Sequence, residues 1–314
     1  MKRIQIERRP QPTALEFTNE YLRGEGRPVI LIDALRNWPA LTKWSFESFR
    51  ADFSSDFVLV HRDAFTSGDA KLTKLSSYIE HIEMQSESPP GFWVAADGNP
   101  LAVEPASNGL PLYLMNWGAF ERHAHLLADI RPAPTFVDDW SLALDSGWQE
   151  IVEWVCGKVL TALYVGPAGT LSRLHQDFGG THSYLAQIAG SKRVSLFSPS
   201  DGECLYEGAI NPDRPDLTAF PRLAEATCHQ GIIGPGDLLF TPPNWWHEVR
   251  AVEPSITVSH NFFNNANFGK FLTELFANLP RLIDGLNKFP HWRKRLTFDP
   301  SAISLRSVAV ETES

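Results

Sequence analysis

A mainly β architecture with flanking helices is the fold class this sequence predicts, and three observations carry that reading. From about Val155 short apolar runs follow one another closely: LTALYVG, LHQDFGG, SYLAQIAG, KRVSLFSP, HQGIIG, DLLFTP, HEVRAV and SITVSHNFF. Punctuated by Gly, Pro and Asn, such a series indicates an antiparallel sandwich or barrel. The first hundred residues instead mix helix and strand signals, and the chain turns helical again after Asn267. The expected organisation is an α/β extension over 1–135 packing on the barrel, a β core over 136–265 and a helical segment over 266–314.

The elements follow in order. In TALEFTNEYLR, Thr13 stands three residues before Glu16, the capping-box spacing, and Leu15, Phe17, Tyr21 and Leu22 recur at helical intervals. Pro28 precedes VILI, a continuous apolar run of strand length. After the turn-like NWPALTKW, SFESFRADF reads as a helix and DFVLVHR as a second strand. Proline and glycine interrupt residues 89–111 repeatedly, so a loop is expected there. Near the carboxy terminus, FGKFLTELFANLPRLIDGL puts Phe268, Phe271, Leu272, Leu275 and Phe276 on one helix face, with Pro280 kinking or splitting the helix.

Composition narrows the function classes. The chain has 314 residues, 43% of them hydrophobic, enough for a substantial core. Its formal charge of −9 and the lack of a dense Lys/Arg stripe argue against a nucleic-acid partner. Three cysteines (Cys156, Cys204, Cys228) without a CxxC suggest neither a disulfide framework nor a zinc ribbon, and fit a reducing compartment. MKRIQIERRPQP lacks a following apolar segment, and no stretch approaches ~18 apolar residues, so the expectation is a cytoplasmic protein without a membrane span.

Within the β region, LHQD places His175 and Asp177 two apart, so in a strand both side chains project from one face. His247, in TPPNWWHEV on a later strand, completes two imidazoles and one carboxylate. That set leaves open coordination positions and is the arrangement of non-haem Fe(II) oxygenases. A second HxD, His61 and Asp63, lacks a lysine-bearing strand behind it and reads as surface. His123 and His125 read as faces of a helix, and His182 and His260 as core groups or neighbours of the site. In KRVSLF, Lys192, Val194 and Leu196 share one face and Arg193, Ser195 and Phe197 the other. If the first face is interior, the buried ammonium requires an anionic partner, which a ligand carboxylate would supply; otherwise Lys192 faces solvent.

LHQD, AQIAGSKRVSLFSPSD, GDLLFTPPNWWHEV and SITVSHNFF, in this order, resemble the JmjC-type (cupin-like) Fe(II)- and 2-oxoglutarate-dependent hydroxylases, among them factor inhibiting HIF. RPVILIDALRNWPALTKWSFESFR is similar to the corresponding part of small JmjC lysyl and arginyl hydroxylases. The resemblance implies a double-stranded β-helix (jelly roll) with His175, Asp177 and His247 as the metal-binding, catalytic residues. It also implies that Lys192 and Tyr113 hold the distal carboxylate of 2-oxoglutarate, with the Ser172 hydroxyl as a further donor, and that Asn261 belongs to the cofactor site near the metal on the last core strand. The reaction implied is hydroxylation of an unactivated C–H bond with O2 as oxidant, on an amino-acid side chain of a protein or peptide. The alternatives are the same chemistry on a small molecule, N-demethylation by the same route, or a non-oxidative metal-binding cupin. Two departures from the family pattern, Ser183 and the longer Phe178-Gly179-Gly180 segment, make these residues and His182 candidates for the substrate mouth. The amphipathic tail allows a homodimer through the carboxy-terminal helices.

Overall fold

The computed structural model describes residues 1–62, 70–86, 93–94, 100–101 and 110–289. The chain begins with strands β1 (Lys2–Gln5) and β2 (Glu7–Pro10), helix α1 (Ala14–Tyr21), β3 (Val29–Ile32) and helices α2 (Ala40–Lys43) and α3 (Phe46–Asp52). Then come β4 (Phe57–Val60), β5 (Lys71–Lys74), α4 (Leu75–Ser86), β6 (Trp93–Val94), β7 (Pro100–Leu101), β8 (Leu114–Trp117), α5 (Ala119–Arg122) and α6 (Ser146–Cys156). Eight strands follow: β9 (Thr161–Gly166), β10 (Leu171–His175), β11 (His182–Ala189), β12 (Lys192–Phe197), β13 (Thr227–Ile233), β14 (Leu238–Thr241), β15 (Trp246–Ala251) and β16 (Ser255–Phe262). Helices α7 (Phe268–Ala277) and α8 (Leu279–Lys288) close the described chain.

Local chemistry accounts for several boundaries. Thr13 and Glu16 form the expected capping box at the start of α1, and Asp145 caps α6 by accepting from the backbone N–H groups of Gly147 and Trp148. Pro280 sits in the first turn of α8, where it lacks no needed donor, so it splits the carboxy-terminal helix in two instead of kinking one.

The strands form two facing sheets, one ordered β1-β13-β12-β15-β10 and the other β2-β3-β14-β11-β16-β9-β8. Within β9–β16 the chain crosses from one sheet to the other at every connection except β12 to β13, which is the jelly-roll winding of a double-stranded β-helix. Expectation and structure agree on this core. Strands from before residue 135 are hydrogen-bonded into both sheets, β1 beside β13 and β3 beside β14, so the amino-terminal part is woven into the barrel edges.

Period-two alternation gives each central strand two duties. Val194, Leu196, Leu239, Val249 and Ile30 fill the space between the sheets. The opposite face of the larger sheet, with Tyr184, Ala186, Phe240 and Phe262, packs against Phe17 and Tyr21 of α1, Tyr78 of α4 and Phe136. Phe17 is fully buried between the rings of Phe136 and Phe240, and its truncation to Ala should cost about 3–5 kcal/mol. Cys156, Cys204 and Cys228 are all buried free thiols. No helix among the described residues is long and apolar enough to cross a membrane.

Candidate metal centre

His175 ends β10 and His247 lies near the start of β15, and the two are direct partners in the antiparallel ladder. Regular alternation would put Ser172 and His175 on opposite faces, because they are three apart. A register shift between them turns His175 onto the same inner side as Ser172 and its partner Val249. Asp177 follows the end of the strand in extended conformation. One nitrogen or oxygen from each of His175, Asp177 and His247 lies within 4.8 Å of the others.

The surroundings prepare these groups to receive a cation. The Nδ1 atoms of His175 and His247 lie 2.6 and 3.1 Å from the backbone carbonyls of Arg173 and Trp245. A proton placed there leaves each Nε2 as a lone-pair donor, and the two rings sit with centroids 4.2 Å apart. Burial, reinforced by His247, pushes the His175 pKa down to about 4, so this imidazole is neutral at physiological pH. Burial alone would raise the Asp177 pKa, but Lys158 and the two histidines outweigh it and hold the carboxyl well below its ordinary value. A neutral imidazole at His175, a second imidazole at His247 and an ionised carboxylate at Asp177, all at least partly buried, fit a divalent transition ion.

Two side chains grip the carboxylate. Lys158 Nζ donates to Asp177 Oδ1 at 2.8 Å, and Asn261 Nδ2 donates to Oδ2 at 2.9 Å. Burial opposes the Lys158 charge, yet Asp177 and Tyr164 prevail and its pKa is raised. The grip by Lys158 was not foreseen: a lysine just after a helix-stopping glycine carries no sequence signal distinguishing it from a surface residue. Asn261, which the resemblance places near the metal on the last core strand, donates through its amide to Asp177 and to the Thr181 hydroxyl.

Further along β12, Lys192 occupies the inner face with Val194 and Leu196 and is 2% exposed, which settles its orientation. Its ammonium donates to the Tyr113 hydroxyl at 2.9 Å and lies 5.4 and 5.9 Å from the ring centroids of Tyr113 and Tyr164. No ion pair to Lys192 occurs among the described residues. Burial accordingly lowers its pKa to about 7. Tyr113 is itself buried, held by backbone pairing with His61, and burial with help from Tyr164 and Tyr78 pushes its phenol well above the ordinary value, against a hydrogen bond with Ser172. Lys192, Tyr113, Ser172 and the unforeseen Tyr164 thus form one cluster.

The mouth candidates separate. Ser183 pairs directly with Asn261 across β11 and β16 and is buried on the inner side. His182, one residue earlier, faces outward: its ring packs between Phe240 and Phe262, and burial lowers its pKa to about 4. His182 is therefore corrected from mouth residue to outer-core residue, because alternation sends neighbours to opposite faces. Gly179 and Gly180 adopt left-handed φ of 83° and 56° and are buried, conformations that favour glycine, and at Gly180 a Cβ would also crowd the Lys270 Cβ of α7 at 3.2 Å. The Phe178 side chain and Asp63 lie outside the described residues. His260 bonds to Asp139 at 2.7 Å on the outer face, and His123 to Asp56 at 2.7 Å. His123 is the non-helical junction after α5, and His125 lies on the short 3-10 helix Ala124–Ala128 that follows, so the two do not share one helix.

Residues 14–268 match a family described as "Cupin-like domain". Among curated proteins, the chain is similar to Lysine-specific demethylase 8 of Xenopus tropicalis, 27% identical over 79% of this chain and 50% of that protein. It is likewise similar to Lysine-specific demethylase 8 of Danio rerio, 37% identical over 79% of this chain and 56% of the other. A third relative is Arginine-specific demethylase JMJ20 of Arabidopsis thaliana, 26% identical over 80% and 55%. The chain spans about half the length of these curated relatives.

Proposed function

From the premise that this chain belongs to the cupin-like family of JmjC type, we propose that it is an Fe(II)- and 2-oxoglutarate-dependent oxygenase hydroxylating a C–H bond on a protein or peptide side chain. The observation that carries this reading is the pairing of the His175, Asp177 and His247 cluster with a buried ammonium, Lys192, on the same inner barrel face. The names of the relatives, lysine- and arginine-specific demethylases, support a protein side chain as substrate. They also favour a second reading, in which the hydroxylated carbon is an N-methyl group that then leaves as formaldehyde.

In this proposal His175 Nε2, His247 Nε2 and one Asp177 oxygen would hold the iron, and Lys192 with the Tyr113 hydroxyl would bind the distal carboxylate of the 2-oxo acid. Bound iron, with 2-oxoglutarate and O2, would supply the oxidising power needed to remove hydrogen from an unactivated carbon. Val194, Leu196 and Val249 exclude water from the interval between the two polar groups, and Asn261 keeps the carboxylate of Asp177 in place. A carboxylate arriving beside Lys192 restores full charge to the ammonium, which gives binding a favourable electrostatic component. The exposed Phe276, Leu279 and Ile283 at the α7–α8 junction support a homodimer through these helices. Sedimentation of an Ile283→Glu variant as monomer, beside a dimeric parent, would bear that out.

The deciding experiment incubates the protein with Fe(II), ascorbate, 2-oxoglutarate and host lysate. Succinate release and +16 peptide products are expected, whereas −14 products with formaldehyde would assign N-demethylation. Well-folded, metal-loaded protein that forms no succinate with any lysate fraction would sink the oxygenase reading.

A further inference from the structure

The way the chain delivers Lys158 to Asp177 goes beyond a passive contact. Helix α6 stops at Gly157, whose φ of 70° is left-handed and whose N–H bonds to the Glu153 and Trp154 carbonyls. A Cβ at residue 157 would lie 2.8 Å from Arg281 Nη1, a flexible head group that can move, so it is the left-handed conformation that favours glycine at this stop. The next backbone N–H, of Lys158, bonds to the Glu153 carbonyl at 3.1 Å, and the Glu153 carboxylate accepts from the Leu160 N–H at 2.8 Å. The turn is pinned on both sides of Lys158. Its side chain runs inward, and the ammonium meets a carboxylate oxygen of the metal cluster.

We propose that Lys158 is the built-in counter-cation of this site: it neutralises Asp177 when no metal is present, and the entering divalent ion must displace it. This rests on the ligand assignment above. A buried carboxylate without a partner is strongly destabilising, and Lys158 removes that penalty from the metal-free fold. A dication at the same carboxylate repels an ammonium that lies 2.8 Å from Oδ1, so metal and Lys158 compete. The displaced head group has a destination. Lys158 also lines an open depression of about 1040 Å³ beside α6 and α8, whose lining includes the acids Glu121, Glu150, Glu153 and Asp284 together with Arg281 and Lys288. Rotation of the lysine stem carries the ammonium from Asp177 toward these acids, while Asn261 continues to hold Asp177.

The test is metal affinity, read by calorimetric titration of the chelator-stripped 314-residue chain with Mn(II), with melting measured in chelator and in saturating Mn(II). Lys158→Met should bind Mn(II) about tenfold or more tightly than the parent, melt lower in chelator and gain more on metal addition. Lys158→Arg, which keeps the cation, should resemble the parent. A lysine that merely positions Asp177 gives the opposite sign, with Lys158→Met binding about 10–100-fold more weakly, and that result overturns the proposal. Unchanged affinity overturns it equally, and Lys158→Gln serves if the methionine variant does not fold. Parent protein that binds no Mn(II), or His247→Ala binding it equally well, sinks the ligand assignment along with it, whereas parent binding that Lys158→Met fails to tighten sinks this inference alone.

Discussion

Asp177 and Lys192 both lie on the barrel interior, yet their charges are treated differently. Asp177 receives an ammonium on one oxygen and an amide on the other, and its carboxyl is held well below the ordinary range. Lys192 receives a phenol hydroxyl and two aromatic faces, and its pKa falls to about 7. Across the smaller sheet Lys192 stands opposite Ala251 and Leu196 opposite His247, so the backbone positions of Lys192 and His247 lie about four strand residues apart along the sheet, roughly 13 Å. One charge is compensated by the chain, and the other awaits compensation from outside. A folded protein tolerates such a buried cation when a bound anion completes it, which is why the proposed function assigns Lys192 to the co-substrate.

The largest expected effect breaks the metal end. His247→Ala should lose turnover and metal affinity by more than the roughly 100-fold ceiling of an outer-shell change, measured by succinate release and by metal titration. Next, Lys192→Met should weaken 2-oxoglutarate binding by about two orders of magnitude while leaving Mn(II) affinity unchanged. The same variant should melt higher than the parent without ligand, since it removes a desolvated ammonium.

Proton linkage sharpens the contrast. The Lys192 pKa is lowered from 10.5 to about 7 on folding, so the unfolded chain binds more protons than the folded one between these values. This group's destabilising contribution is fully present below about pH 7 and is relieved as pH rises toward 10.5. A dicarboxylate selects the protonated lysine. The 2-oxoglutarate dissociation constant, measured with metal bound, should therefore rise by up to about tenfold per unit above pH 7, and this dependence should vanish in Lys192→Met. The smallest effect is expected from Tyr113→Phe, which removes one hydroxyl contact and should weaken 2-oxoglutarate about three- to tenfold with little change in metal affinity.

The legible parts of the fold were those set by short-range periodicity. VILI, KRVSLF and SITVSHNFF became strands β3, β12 and β16, and Pro280 divided the last two helices. Alternation in KRVSLF left two faces for Lys192, and packing against Val249 and Leu239 chose the inner one. The metal cluster was readable because two histidines and an aspartate stood in or beside strand segments. What alternation could not supply was the register shift between Ser172 and His175, since a bulge is visible only once β15 lies alongside.

From sequence alone came the strand series, the capping box at Thr13, the HxD pair with His247, and a lysine in an apolar strand whose charge demanded a partner. These follow from covalent order and residue chemistry. Only the tertiary structure decided that Lys158, from the end of a helix, reaches Asp177, that Asn261 holds the same carboxylate, that Tyr164 joins Lys192, and that His182 turns away between two phenylalanines. These contacts join residues up to 84 positions apart through the crossing of two sheets, and no local pattern encodes which long-range neighbour a polar side chain will meet.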